Sequence, residues 1–168
     1  MQQENSYLRL YNYFKAIAEA NVHINGFAGY FQRDLSNKLE SYEGLSSPYL
    51  ALWDYEKGYQ GDDRNTVAVI SLGYVILKSD VAPDDIEAQY AAIDECEKIA
   101  KSVNARLRYD NHDQSHFLFG SFLKEQTKIQ PIDTEELGFG VQVEVFFKNP
   151  EHLALNPDDW SDIDSVCK

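Results

Sequence analysis

Cysteine is nearly absent: Cys96 and Cys167 are the two in 168 residues, one inside a helical pattern and one beside the C-terminus. A pair so placed makes neither a disulfide framework nor a metal knuckle, and a reducing compartment is the natural setting. Positive charge is scarce too. Lys and Arg number 15 against 28 Asp and Glu, a formal charge of -13, so attraction to a nucleic-acid backbone or an anionic membrane requires a local basic patch, and none is visible. Long apolar runs are missing: no segment approaches the roughly 18 residues of a membrane helix. The opening, MQQENSYLRLYNYFK, lacks the basic start and apolar stretch of a secretory signal. The expectation is a soluble, cytoplasmic protein with no membrane partner and no specific nucleic-acid partner. Internal repeats of 20–50 residues are absent as well, which excludes a solenoid.

Aromatic residues are plentiful. With 43% apolar content, 11 Tyr, 9 Phe and 2 Trp, the chain can bury enough surface to offset ordering entropy, and its length suits one core. The clearest pattern is ELGFGVQVEVFFKNP, residues 136–150, where Phe139, Val141, Val143, Val145 and Phe147 alternate with Gln142, Glu144 and Lys148. Period two over nine residues predicts a half-buried strand.

Taken in order, residues Glu4 to Asn21 predict a helix with Leu8, Tyr11, Phe14 and Ile17 near one stripe and Lys15 paired with Glu19. Asn21 to Gly29 breaks it, and Asp34 to Ser41 suits a shorter helix, with Tyr30 and Phe31 as an extended lead-in. YLALWDYE after Pro48 predicts a strand placing Tyr49, Ala51, Trp53 and Tyr55 on one side. Gly58 to Asn65 then forms a hairpin loop, and TVAVISLGYVILK returns as a strand apolar on both faces, hence central. Asp84 is the expected N-cap of a long helix to Tyr109, with Glu87 three places later and Ile86, Tyr90, Ile93, Ala100, Val103 and Leu107 on the packed face. HFLFGSFL fits strand or helix turn. Thr127 to Ile132 and the final strand make a second hairpin around DTEELG. The predicted fold is α+β, an antiparallel sheet of about four strands in two hairpins packed against a long helix, with an N-terminal helix. Residues 1–150 form the single domain, and 151–168 an acidic tail with Trp160 as its anchor.

Constellations that carry chemistry are few. His112 and His116, four apart near Asp110 and Asp113, suit a metal pair if helical, and exposed loop histidines if not. Asp158, Asp159, Asp162 and Asp164 attract hard cations but lack the calcium-loop spacing. Cys96 has no nucleophile signature around it. Gly58 and Gly61 followed by Asp62 and Asp63 exclude a phosphate-binding loop, which needs a Lys and repels acids. Acid pairs for glycoside chemistry occur by chance among so many carboxylates. Tyr7, Tyr11, Tyr13, Trp53, Tyr55 and Tyr59 suit either a ligand platform or a protein interface. Of these, Trp53, Tyr55 and Tyr59, with Asp62, Asp63 and Arg64 in the hairpin loop, are the candidate interface. No catalytic, metal or cofactor residues are assigned, and no cofactor is expected.

The N-terminal helix YLRLYNYFKAIA, the strand entry SSPYLALWDYE, the strand NTVAVISLGYVIL, the acidic helix IEAQYAAIDECEKIAKSV and the closing strand LGFGVQVEVFF together resemble the tail-terminator or tail-completion proteins, which join head to tail, of tailed bacteriophages and related contractile particles. The likeness spans residues 6 to 148 and lies in element order and texture. It implies a non-enzymatic α+β subunit that assembles with itself into a ring, commonly a hexamer, against tail-tube or connector proteins. It implies no catalytic residues. The alternatives are a small-ligand or protein-binding regulatory module built on the aromatic cluster around Trp53 and Tyr55, and a metal-dependent hydrolase using His112 and His116.

Overall fold

The structure, a computed structural model, describes residues 5–30, 32–40, 45–62, 64–134, 137–151, 153 and 155–162. Three α-helices and five strands occur among them. They are α1 (Tyr7–Ala20), β1 (Gly26–Ala28), α2 (Gln32–Glu40), β2 (Tyr49–Gln60), β3 (Val67–Lys78), α3 (Ile86–Asp110), β4 (Lys128–Thr134) and β5 (Gly138–Pro150).

The strands form one sheet in the order β1-β2-β3-β5-β4. Both expected hairpins are present as antiparallel pairs, β2 with β3 and β4 with β5, and β3 joins them by pairing antiparallel with β5 from Val67↔Pro150 to Lys78↔Phe139. The α+β expectation stands, while the sheet of four antiparallel strands is corrected: β1 adds a fifth, parallel to β2 through Gly26↔Tyr49 and Ala28↔Ala51. Three residues are too short for periodicity to register, and parallel pairing depends on α2 crossing between the two strands. The polar joint between helices thereby becomes a sheet edge.

Sheet parity assigns the core. Ile70, Leu72, Tyr74 and Ile76 of β3 and Val141, Val143, Val145 and Phe147 of β5 face the same way, packing under Leu10, Phe14 and Ile17 of α1 and Cys96, Ile99, Val103 and Leu107 of α3. This is the inner face. The outer face is covered at one end only, where Ala28, Tyr49, Ala51, Val75 and Leu77 gather with Leu35 of α2. Burial of both β3 faces there matches the central strand expected from its two-sided apolar pattern.

Helix details shift the expected faces. Ser6 caps α1, its hydroxyl accepting from Arg9 N–H at 3.3 Å, and the buried stripe is Leu10, Phe14, Ile17 and Ala18. Leu8 is 63% exposed because it lies nearly opposite that stripe. The α3 cap is Asp85, not Asp84: the Asp85 carboxylate accepts from Ala88 N–H at 2.9 Å. Ile86 and Tyr90, expected in the core, are 61% and 69% exposed, because the first two turns of α3 keep that file of residues turned away from the sheet. The segment 115–123 is a series of turns, touching the sheet through a Phe122↔Phe147 bridge. Trp160 does not anchor the tail; it is 54% exposed after a short 3-10 turn. No helix among the described residues is long and apolar enough to cross a membrane.

Candidate assembly surface

The β2–β3 hairpin holds most of the residues singled out in the sequence, and one irregularity decides where they point. Register slips between Leu52, opposite Tyr74, and Asp54, opposite Gly73. The extra residue is Trp53, a β-bulge. A Cβ built on Gly73 would meet the Asp54 Cβ at 3.3 Å and the Trp53 Cβ at 3.7 Å, so both side chains sit over this glycine on the outer face. Period-two reading placed Tyr49, Ala51, Trp53 and Tyr55 together, but the bulge resets the alternation. Tyr55, Lys57 and Tyr59 consequently turn to the inner face, opposite Leu72, Ile70 and Ala68. The five candidate residues that are described, Trp53, Tyr55, Tyr59, Asp62 and Arg64, therefore do not form one patch.

On the inner side, Tyr55 packs edge-on against Tyr7 at 5.0 Å and Tyr30 at 5.9 Å, and Tyr7 lies 4.5 Å from Tyr30. These three rings pack on one another, and Tyr7 remains 38% exposed. Burial raises the hydroxyl pKa of Tyr55, with Lys57 opposing and Glu151 adding to it. Lys57 Nζ donates to Glu151 Oε1 at 2.7 Å and Tyr59 Oη to the same oxygen at 3.2 Å. Burial disfavours the Lys57 charge, yet the bond to Glu151 and its negative charge prevail, and the ammonium pKa lies above its ordinary value. Glu151 is 9% exposed and its N–H donates to Thr66 O at 3.0 Å. The first residue of the expected tail is thus joined to the sheet.

At the hairpin tip, Asp62 is a turn former. Its Oδ1 accepts from Arg64 N–H at 2.9 Å and Asn65 N–H at 2.8 Å, and Gly61 at φ 99° supplies the left-handed turn. Arg64 is exposed; Asp63 lies outside the described residues.

The outer face beyond the α2 end carries a shallow depression of about 230 Å³, lined by Glu56, Gly58, Tyr59, Gln60, Val69, Ser71 and Phe146. Trp53, 47% exposed, shares this face. Opposite signs meet across it: Glu144 accepts from Ser71 at 3.2 Å and from Lys128 at 3.5 Å, with Lys148 and Glu56 exposed on the same parity. Val69, Phe146, Lys128 and Lys148 were not among the candidate interface residues of the sequence. Phe146 offered a signal, since it is an aromatic ring where the alternation of β5 calls for a polar residue.

No family model matches the chain, and no curated protein matches it.

The remaining constellations are held by local structure. His112 lies in the turn after α3 and donates from Nδ1 to Arg108 O at 2.6 Å, whereas His116 accepts from Leu118 N–H at Nδ1. Each imidazole is engaged on its own turn, and the described residues contain no group of three or more His, Cys, Asp or Glu placed to hold a metal. Asp164 lies outside the described residues. Cys96 is buried, its thiol pushed up to about 12 by burial first and Glu95 second, so it stays a neutral thiol against Phe139 O.

Asp110, 2% exposed, is a buried acid at the end of α3. Tyr13 Oη donates to its Oδ2 at 2.6 Å, Arg106 Nε lies 3.0 and 2.8 Å from its two oxygens, and His116 Nε2 is 4.0 Å away. Burial, then the bond to Asp110, drives the Tyr13 pKa far above a free phenol. Tyr13 is therefore a fixed donor and not an acid. The cluster closes one end of a groove of about 430 Å³ between α1 and α3.

Proposed function

We propose that the chain is a non-enzymatic structural subunit that assembles with copies of itself, and more specifically a ring-forming tail-terminator or head-tail completion subunit of a tailed phage or phage-like contractile particle. The observation that carries the reading is the outer face of β2, β3 and β5: Trp53 stands 47% exposed on it at a bulge, and Val69 and Phe146 are half-buried in an open depression. A second copy fits this face because it bears both signs of charge, Glu56 and Glu144 beside Lys128 and Lys148. A chain at -13 repels itself over most of its surface. Edge-to-edge pairing is the less suitable mode. One sheet edge is the three-residue β1, and the other, β4, carries Lys128 and Pro131, residues that blunt an edge. The particle assignment itself rests on the resemblance in element order.

Sedimentation velocity across a hundredfold concentration range, followed by negative-stain imaging, tests the reading. The expected result is a discrete closed particle of several copies, weakened by Trp53→Asp. A strict monomer at the highest concentration overturns it.

A further inference from the structure

The groove of about 430 Å³ between α1 and α3 is large enough for a small molecule, and the residues that line it sort by chemistry. Ile17 and Val103, both buried, give it an apolar floor, with the exposed Ala16 and Ala20 too small to fill the space above. Polar groups stand at its two ends. Asn21 and Ser102 are bonded to each other at one, and Arg106 and His116 stand beside the Tyr13–Asp110 bond at the other. From Tyr13 to Asn21 the helix rises about 12 Å, which sets the length of what can lie between them. The chain holds 28 acidic residues, yet no Asp or Glu is among the described residues lining this groove.

Donor and acceptor capacity decides what fits. Arg106 reaches Asp110 through Nε alone, so the two terminal nitrogens of its guanidinium have no protein acceptor among the described residues. His116 Nδ1 accepts from Leu118 N–H at 3.3 Å, which puts the proton of the neutral ring on Nε2. That nitrogen is 4.0 Å from Asp110 Oδ2, beyond hydrogen-bond length. Ser102 Oγ accepts from Asn21 Nδ2 at 2.8 Å and keeps its own proton to give. The acceptors nearby are already used: Asp110 by Arg106 and Tyr13, and Asn21 Oδ1 by His23 N–H at 3.0 Å. What is left over donates. Asp110 fixes the guanidinium by its Nε side, so the planar fork of terminal N–H groups is held in advance for a pair of oxygens.

We infer that the α1–α3 groove is a binding site for a small monocarboxylate of about six carbons, its carboxylate on Arg106 and His116 and its apolar body along Ile17 and Val103. The site lies on the helix side of the sheet, away from the outer face, and it stands or falls independently of self-assembly.

Titration of the full-length, isotope-labelled protein with sodium hexanoate, followed by backbone amide shifts, tests the site. The expected result is saturable shifts in residues 13–21 and 102–116 with a Kd on the order of 1 mM, the strength open to so small a ligand. Hexanamide, which has the same body and no charge, should bind at least about tenfold more weakly, and hexylammonium should leave these residues unshifted. Two variants at exposed positions leave Arg106 and Asp110 in place. Ala16→Glu sets a carboxylate in the groove and Ala20→Leu fills it, and each should weaken hexanoate binding at least about tenfold. The second variant keeps the test open if the first misfolds. Shifts that grow without saturating, hexanamide binding as tightly as hexanoate, or hexanoate binding unchanged in a folded variant would each overturn the site.

Discussion

Asp110 is the last residue of α3 and the point at which α3 is tied back to α1. Its carboxylate is buried, and burial of an ion is costly unless each oxygen is matched, which Arg106 and Tyr13 do here. Asp110→Ala leaves the Tyr13 hydroxyl buried without an acceptor, whereas Arg106, 57% exposed at its side chain, regains water. The expected cost is about 2–3 kcal/mol of unfolding free energy in urea, with an unchanged m-value, from loss of a charge-assisted bond and one orphaned donor. Tyr13→Phe should cost roughly 1 kcal/mol, as it removes a donor and leaves the Arg106 bond in place. Little of this was legible in the sequence. Asp110 stood next to the histidines and drew notice for metal chemistry, and its true partners lie four residues back and 97 residues away. Spacing along one helix can suggest the first contact, but only the packing of α1 on α3 makes the second.

Elements were legible wherever one face was buried and the backbone kept its period. β5 is the best case: of its five alternating apolar residues, Val141, Val143, Val145 and Phe147 join the main core and Phe139 is buried beside it at 7% exposure. β2 is the counter-case, because the bulge at Trp53 exchanges the faces of everything after it, and a bulge has no sequence signature in the strand that carries it. The sign lay in the partner strand, where Gly73 interrupts an otherwise branched and aromatic run. Two glycines of the sheet give a sharp contrast. At Gly140 a Cβ would fall 2.0 Å from Ile76 O and 3.1 Å from Cys96 Sγ, so β3, β5 and α3 are drawn together over a position that has no room for a side chain. At Gly58 nothing lies within 4 Å. Gly140→Ala is expected to lower the unfolding free energy by about 2–4 kcal/mol, the range of backbone-shifting overpacking. Gly58→Thr should be neutral or stabilising by up to about 1 kcal/mol, since it adds strand propensity and restricts the unfolded chain. Chemical denaturation of the pair checks both.

For the whole molecule, Glu151 ties the start of the C-terminal segment to the sheet. It bonds Lys57 and Tyr59 and extends the β3–β5 ladder by one N–H to Thr66 O. Because Lys57 has its pKa raised in the folded state, its stabilising contribution is complete below the ordinary value of 10.5 and is lost as pH rises through the higher folded value. Glu151→Ala should therefore lower the melting temperature near neutral pH by about 2–6 °C, the shift expected for 1–1.5 kcal/mol in a chain of this size. The difference from wild type should shrink above pH 10.5. A thermal scan of both proteins at two pH values measures it; an equal difference at both would show that Lys57 is not the partner that matters. What the sequence determined by itself was local: helices, two hairpins, a central two-faced strand and one α+β body, because periodicity and turn chemistry act over a few residues. What only the tertiary structure decided was which strand joins the far edge, which way the hairpin aromatics point and which apolar residues stay in water. Those outcomes depend on contacts between segments distant in the chain, and neither periodicity nor spacing encodes them.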